Sequence, residues 1–435
     1  MVDFTRWLRG PSRVAALQLT SGTAAAQLIN LALIPLLARL YSPAEIGVLS
    51  AFLALSAWIG SASTGRYDQA CMLPADERKA TILALLSVSL SFATASVTLV
   101  VVLVVVPILG SATKDYSWLY WLAPMVAVTG VNATLTIYAT RSNEYRLVAT
   151  RTTMKALFSA VFQVMGGLAI PSAGTLVGAQ TLGLATANSR MMRQLRDGYR
   201  RDGPVSASDL RDAAREYQAF PRHTLPAVLV NTTAINSIPL FIGAMFGAVV
   251  LGLWSVAYRM LGIPLLLLGN AVGQVYFKRA TDVHNSGGDS MALFRRTSAL
   301  LAGISVLPFI GIWVLAPFAF TTLLGPQWEA AGQYAQIMVP WLWLRFVASP
   351  VQQTPIVFGR NGIGLISQLI VLSGTLIVFV VAWTAGWTFV TFLQVLSIVM
   401  SLAFAVTWFI NRHRHQRPRV LITGCGTGSM ARRPA

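Results

Sequence analysis

Of 435 residues, 55% are hydrophobic and only 11% are charged, and the mean hydropathy is +0.63. A water-soluble chain of this length does not show that balance, so the unit to look for is the apolar stretch of about 20 residues that crosses a bilayer. The net charge of +18 would suggest nucleic acid in a soluble protein, but its distribution along the chain points elsewhere.

Twelve spans are expected, at residues 15–38, 43–63, 82–109, 118–140, 153–170, 174–189, 224–243, 247–275, 297–323, 333–357, 362–383 and 387–410. The first follows Arg6, Arg9 and Arg13 and runs on to Arg39 without a convincing cleavage site, so it reads as a retained span rather than a leader peptide. Its Thr20, Thr23, Gln27 and Asn30 share one helix face at spacings of three and four. At the end of the second span comes Gly65-Arg66-Tyr67-Asp68, in which Asp68 is the carboxylate nearest the end of that span. It is expected to pair with Arg66 or with an arginine of the opposite half.

With the N-terminus in the cytoplasm, the basic residues fall on the cytoplasmic side with four exceptions. Arg39 and Lys114 lie outside, and Arg259 and Arg345 lie within spans. That asymmetry predicts both termini inside and makes the positive surplus a topology signal and a contact with anionic lipid headgroups rather than with nucleic acid. Cys71 and Cys425, the two cysteines, are both placed inside, so no disulfide is expected.

Residues 190–222 form a basic cytoplasmic linker, in which Ser206 and Asp209 have the spacing of a capping box opening a short helix that ends before Pro221. The linker divides the chain into a six-helix lobe at 1–189 and another at 223–411, followed by a disordered basic tail at 412–435. Ile34-Pro35-Leu36 followed by Gly47-Val48-Leu49-Ser50-Ala51 resembles Ile238-Pro239-Leu240 followed by Gly252-Leu253-Trp254-Ser255-Val256. Tyr138–Asn143 resembles Val357–Asn361 in the same way. Two related halves with an even number of spans each place a pseudo-axis along the membrane normal and a path between the lobes. The expected fold is thus an all-α polytopic membrane protein, twelve transmembrane helices in two six-helix lobes around a central cavity.

In the second half, Asn231, Thr232, Thr233, Asn236 and Ser237 stand in the seventh span, and Ser255, Arg259, Asn270 and Gln274 form a stripe in the eighth, across an expected kink at Gly262 and Pro264. Trp341, Arg345, Ser349 and Gln352 form another in the tenth. A guanidinium at the bilayer centre costs roughly 2.5–3.5 kcal/mol on insertion scales, and beyond Glu45 at the very start of the second span no span holds a carboxylate to neutralise either arginine. The cost is reasonable if both line a wet cavity that holds an anion, and arginine's planar fork suits phosphate oxygens best. A transporter of a phosphate-bearing molecule is the reading that follows. The Gly424-Cys425-Gly426-Thr427-Gly428 run has too little chain after it for a dinucleotide fold, and His413 and His415 sit among arginines. No metal cluster, phosphate loop or catalytic set is legible, so neither a metal nor a cofactor is expected.

These residues resemble the Wzx-type polysaccharide flippases of the multidrug/oligosaccharidyl-lipid/polysaccharide exporter superfamily. The resemblance runs through Ser21-Gly22-Thr23, Gln27, Pro35–Pro43 with Arg39, Gly47 and Arg66–Ala70. It returns at Phe220-Pro221, Pro226, Asn231, Ile238-Pro239, Phe246-Gly247, Gly252, Arg259–Pro264 and Val275-Tyr276. It implies a two-lobed bundle in the bacterial inner membrane, moving polyprenyl-diphosphate-linked glycan for O-antigen, capsule or exopolysaccharide synthesis, with cavity arginines on the diphosphate. A glycan polymerase and chain-length machinery are candidate partners. The substrate-binding set is then Arg259, Arg345, Arg66, Asp68, Gln27, Asn30, Asn270, Gln274, Gln352 and Arg39. Two other readings stay open. A cation-coupled small-molecule exporter of the same superfamily would want acids inside its spans, and a membrane-embedded glycan polymerase or transferase would want a large external loop.

Overall fold

A computed structural model describes residues 11–109, 116–286, 288–350 and 362–413, and the described chain is helical throughout. The first half holds α1 (Pro11–Leu40), α2 (Pro43–Ala62), α3 (Tyr67–Ala70), α4 (Glu77–Leu109), α5 (Leu122–Arg141), α6 (Tyr145–Ala169) and α7 (Ala173–Asp202). After α8 (Ala207–Glu216), the second half holds α9 (Leu225–Asn285), α10 (Ser290–Leu324), α11 (Glu329–Ala348), α12 (Gly362–Ala385) and α13 (Phe389–His413). Seven described helical segments are long and apolar enough to cross a membrane, and one of them, 220–283, runs through two of the expected spans. The chain is a multi-pass helical membrane protein. The charged α6 and α7 do not stand out by hydropathy, because they turn their polar side chains inward on one another: Arg151, Ser159, Gln163 and Asn188 are buried.

Local signals explain where helices start and stop. Pro43 opens α2 beneath a capping box, Ser42 receiving the Glu45 N–H while the Glu45 carboxylate accepts from Ser42 N–H at 2.7 Å. The expected capping box at Ser206 and Asp209 opens α8. Inside α9, Gly247 alone leaves helical angles, with φ 86°, which suits a residue without a Cβ. Gly47 of α2 meets Ala248 of α9, while Trp58, three turns along α2, donates to Thr233 Oγ1 at 2.8 Å. Both arms of α9 therefore lie against α2, and the chain reverses at Gly247. At Gly262 and Pro264, where a kink is expected, the helix is not interrupted. The second arm keeps helical angles through both residues, although Pro264 cannot donate to the Met260 carbonyl.

The two halves meet where α2 crosses the second arm of α9, and they meet symmetrically. A Cβ on Gly47 would lie 1.8 Å from Ala248 O, and a Cβ on Gly252 would lie 1.7 Å from Pro43 O. Ser50 Oγ donates to Ser255 Oγ at 2.9 Å. Gly47 with Gly252 and Ser50 with Ser255 are pairs that the internal resemblance aligns, and each faces its own counterpart, while Ala248 against Gly47 and Pro43 against Gly252 are reciprocal contacts in the same register. That is the contact a two-fold axis through the crossing produces. Glycine is required on both sides because the backbones touch.

Beside the crossing, the carbonyl of Ala38 in the last turn of α1 has no partner within its own helix. Gln327 Nε2 and Trp328 Nε1, from the turn before α11, each donate to it at 2.9 Å. Arg39 Nη2 reaches Leu323 O at 3.5 Å. The halves are thus sealed at the end that carries the α1–α2 turn. Toward the opposite end Thr20, Thr23, Asn231 and Gln274, polar side chains on membrane-length helices, are exposed.

Helix α7 runs on to Asp202, with Met191 and Leu195 buried in a cluster with Leu83, Leu135 and Tyr138. Exposed ion pairs join Arg201 to Glu77 at 2.7 Å and Lys79 to Glu216 at 3.1 Å, and in solvent they contribute little. Tyr67 donates to Ala214 O at 3.0 Å. Burial pushes the Asp202 carboxyl up, but hydrogen bonds from Arg201 and Thr81 outweigh it and hold the group below its ordinary range. The linker is docked on the first half rather than freely solvated.

Candidate functional site

Arg259 lies on the second arm of α9, one turn beyond Ser255, and Arg345 lies on α11. Both line one cavity of about 220 Å³ together with Gln27 from α1 of the opposite half. Tyr258, Gly262, Gly269, Phe346 and Ser349 complete much of its wall. The lining holds two guanidiniums and no carboxylate, and neither arginine forms an ion pair with a described residue.

Each arginine is held by a neutral oxygen. Arg345 Nη1 donates to the Tyr258 hydroxyl at 2.5 Å, and Arg259 Nη2 donates to Ser50 Oγ at 3.4 Å. Tyr258 is itself fixed by ring contacts, stacked on Trp254 at 5.1 Å between centroids and tilted against Trp341 at 6.0 Å. A hydroxyl orients a guanidinium without neutralising it, and most of the five donors on each fork meet no described residue. Two such forks in a confined, partly desolvated space recognise a group rich in anionic oxygens. The space takes a phosphoryl group or two.

Of the other expected site residues, the described ones do not line this cavity. Asn30 is exposed on α1 and Gln274 on α9. Both follow the polar stripes but lie beyond the lining. The side chain of Asn270 and the whole of Gln352 fall outside the described residues. Arg39 belongs to the sealed end, where it meets Leu323 O. Arg66 and Asp68 require correction. Asp68 is 3% exposed, accepts from Thr64 Oγ1 at 2.7 Å and makes no ion pair with a described residue, so among the described residues it ties its own half together rather than meeting an arginine. Arg66 stands just before α3 with φ 64°, its N–H on Thr64 Oγ1 and its Nε buried without a partner. Thr64 occupies the place beside Asp68 where a cation was expected.

Sequence reasoning missed three participants. Tyr258 and Ser50 are the oxygens that aim the two arginines, and Tyr258 stood next to Arg259 as an available signal. Arg151, expected at the cytoplasmic edge, is buried in the first half because α6 begins earlier, at Tyr145.

Comparison with known proteins agrees with this architecture. The family described as "Polysaccharide biosynthesis protein" matches residues 36–333. The amylovoran biosynthesis protein AmsL of Erwinia amylovora is 23% identical over 191 residues, 43% of this chain and 49% of that protein. The teichuronic acid biosynthesis protein TuaB of Bacillus subtilis is 26% identical over 157 residues, 36% of this chain and 32% of that protein. The match therefore spans half or less of these relatives' length. Among solved structures, the lipid II flippase MurJ in an inward closed conformation superposes with a TM-score of 0.69 at 9% identity, covering 91% of this chain and 87% of that one. An inward-facing MATE family transporter of the MOP superfamily gives 0.67 at 13% identity, covering 92% and 98%. The match across most of the membrane helices has one meaning: the chain belongs to the polysaccharide biosynthesis protein family.

Proposed function

We propose that this protein is a flippase carrying a polyprenyl-diphosphate-linked oligosaccharide across the bacterial cytoplasmic membrane for surface polysaccharide synthesis. In this reading twelve spans form two six-helix lobes and both termini are cytoplasmic. The observation that carries the proposal is the meeting of Arg259 and Arg345 with Gln27 in one acid-free cavity between the halves. The diphosphate enters from the cleft at the linker end and engages both guanidiniums, with Gln27 reporting its arrival to the first half. The lipid tail stays in the bilayer and the glycan in the wet cleft. Transport then needs the seal at Ala38 to open and the cleft to close, with the glycine crossing as the surface on which the halves rock. An exporter that binds coupling cations in this cavity is disfavoured, because its lining carries no acid.

The test is the double variant Arg259→Gln, Arg345→Gln in a host lacking its own flippase. Expected are a normal protein level, loss of surface glycan and accumulation of lipid-linked precursor in the inner leaflet. Lysine at either position should rescue only partly, since it supplies charge without the fork. Normal export by the double variant overturns the reading.

A further inference from the structure

The first half buries cations that the proposed transport cycle does not use. Arg151 of α6 is 7% exposed. Its Nε donates to Asn188 Oδ1 of α7 at 3.0 Å and its Nη1 to Thr136 Oγ1 of α5 at 3.4 Å, while its Nη2 is buried with no partner. Lys155, one turn on along the same face, is half-buried and forms no ion pair with a described residue. One turn further, the Ser159 hydroxyl is also buried and unpartnered. Helix α5 runs antiparallel to α6, so the Thr136–Arg151 contact puts Asn132 at the level of Lys155. The Oδ1 of Asn132 is a further buried atom without a partner.

What could neutralise these cations is missing. Helices α1, α5 and α6 contain no Asp or Glu, and the acids of α7, Asp197 and Asp202, lie more than two turns beyond Asn188. Two adjacent cations inside a membrane protein, each without a carboxylate, raise one another's burial cost. The groups left over are almost all donors: a guanidinium edge, an ammonium and a rotatable hydroxyl. Asn132 joins them if its amide is turned, since its oxygen and nitrogen are interchangeable by shape.

We propose that Arg151 and Lys155, with Ser159 and Asn132 beside them, form a binding site for one small inorganic anion of halide size. The surrounding helices are closely packed here: a Cβ on Gly183 would come 2.6 Å from the Ser159 backbone nitrogen, and a Cβ on Gly22 would come 2.7 Å from the Ala149 backbone. That closeness favours a single spherical ion over a phosphate ester. The anion supplies the missing counter-charge and ties α5, α6 and α7 together. The site is separate from the Arg259 and Arg345 cavity, and the proposal does not depend on the flippase reading.

The experiment follows thermal unfolding of the full-length protein in lipid nanodiscs, with chloride or bromide replacing gluconate at constant ionic strength. Halide is expected to raise the unfolding midpoint saturably. Lys155→Met should weaken the half-saturating halide concentration by about tenfold or more, a loss of about 1.4 kcal/mol in binding. The Arg259→Gln, Arg345→Gln variant should keep the wild-type response. No halide-specific shift in the wild type, an unchanged response in Lys155→Met, or a response abolished by the cavity variant would each overturn the proposal. If Lys155→Met does not accumulate, equilibrium dialysis of the wild type with radioactive chloride decides: saturable binding of a single ion supports the site, and its absence ends it.

Discussion

Residues 43–54 of α2 and 248–259 of α9 occupy equivalent places on either side of the pseudo-dyad, and they diverge step by step away from it. At the crossing they are alike: Gly47 against Gly252, Ser50 against Ser255. At the next equivalent positions the first half has Leu49, Leu53 and Ala54, where the second has Trp254, Tyr258 and Arg259. Ala54 is packed away at 3% exposure, whereas Arg259 opens onto the cavity. The symmetric segment serves the joint between the halves, which must fit itself. In the proposed reading the divergent segment serves recognition, and a single cargo breaks the two-fold relation.

Changing the symmetric part should have the largest effect. Any side chain at Gly47 or Gly252 meets backbone, which cannot turn aside as a flexible side chain could. Overpacking typically costs about 1–3 kcal/mol and occasionally more. Gly47→Ala and Gly252→Ala should each lower the thermal midpoint strongly and by similar amounts, and Gly47→Leu should yield no monodisperse protein by size-exclusion chromatography. A large effect at one glycine and none at the other would break the equivalence.

The divergent part should respond in function rather than stability. Tyr258→Phe removes the hydroxyl that orients Arg345 and keeps the ring stack with Trp254. A hydrogen bond to a charged group contributes about 1.5–3 kcal/mol. Glycan export should therefore fall by roughly tenfold or more at an unchanged protein level. An equal fall in protein level would mean that the tyrosine is only part of the packing.

The division between the two parts also explains what could be read from the sequence. The glycine and serine pairs were legible as an internal resemblance, because a joint that fits itself repeats its residues. The cavity arginines were legible by their cost in a membrane span, and Gln27 by the polar face of α1. Asp68 was misread because a carboxylate's partner is set by tertiary packing, and here the neighbouring Thr64 supplies it. Arg151 was missed because the apolar pattern of α6 begins later than the helix does. Its first two turns, from Tyr145, look like loop but pack as core, with Val148 and Arg151 both buried. The second copy of the Tyr138–Asn143 resemblance, Val357–Asn361, lies outside the described residues.

The two serines separate joint from site more finely. Ser50→Ala and Ser255→Ala both remove the Ser50–Ser255 bond, and each should cost about 1 kcal/mol of stability. Only Ser50 also touches Arg259. Export should therefore drop a few-fold in Ser50→Ala and stay near normal in Ser255→Ala. Equal export in the two variants would detach Arg259 from the crossing.

The smallest effect is expected at the seal. Trp328 is fully buried, and its indole N–H caps the Ala38 carbonyl, but Gln327 donates to the same oxygen. In Trp328→Phe the carbonyl keeps one partner and most of the ring volume remains, so the change should stay near the low end of the roughly 0.5–1.5 kcal/mol typical of one hydrogen bond. Adding Gln327→Ala should leave that helix-end carbonyl with neither donor. The double variant should then lose more stability than the two singles together, because removing the last partner exposes the full desolvation cost of a buried acceptor. The measurement is a double-mutant cycle on the unfolding midpoint. Simple additivity would show that water replaces the donors, and hence that the end carrying the α1–α2 turn is wet rather than sealed.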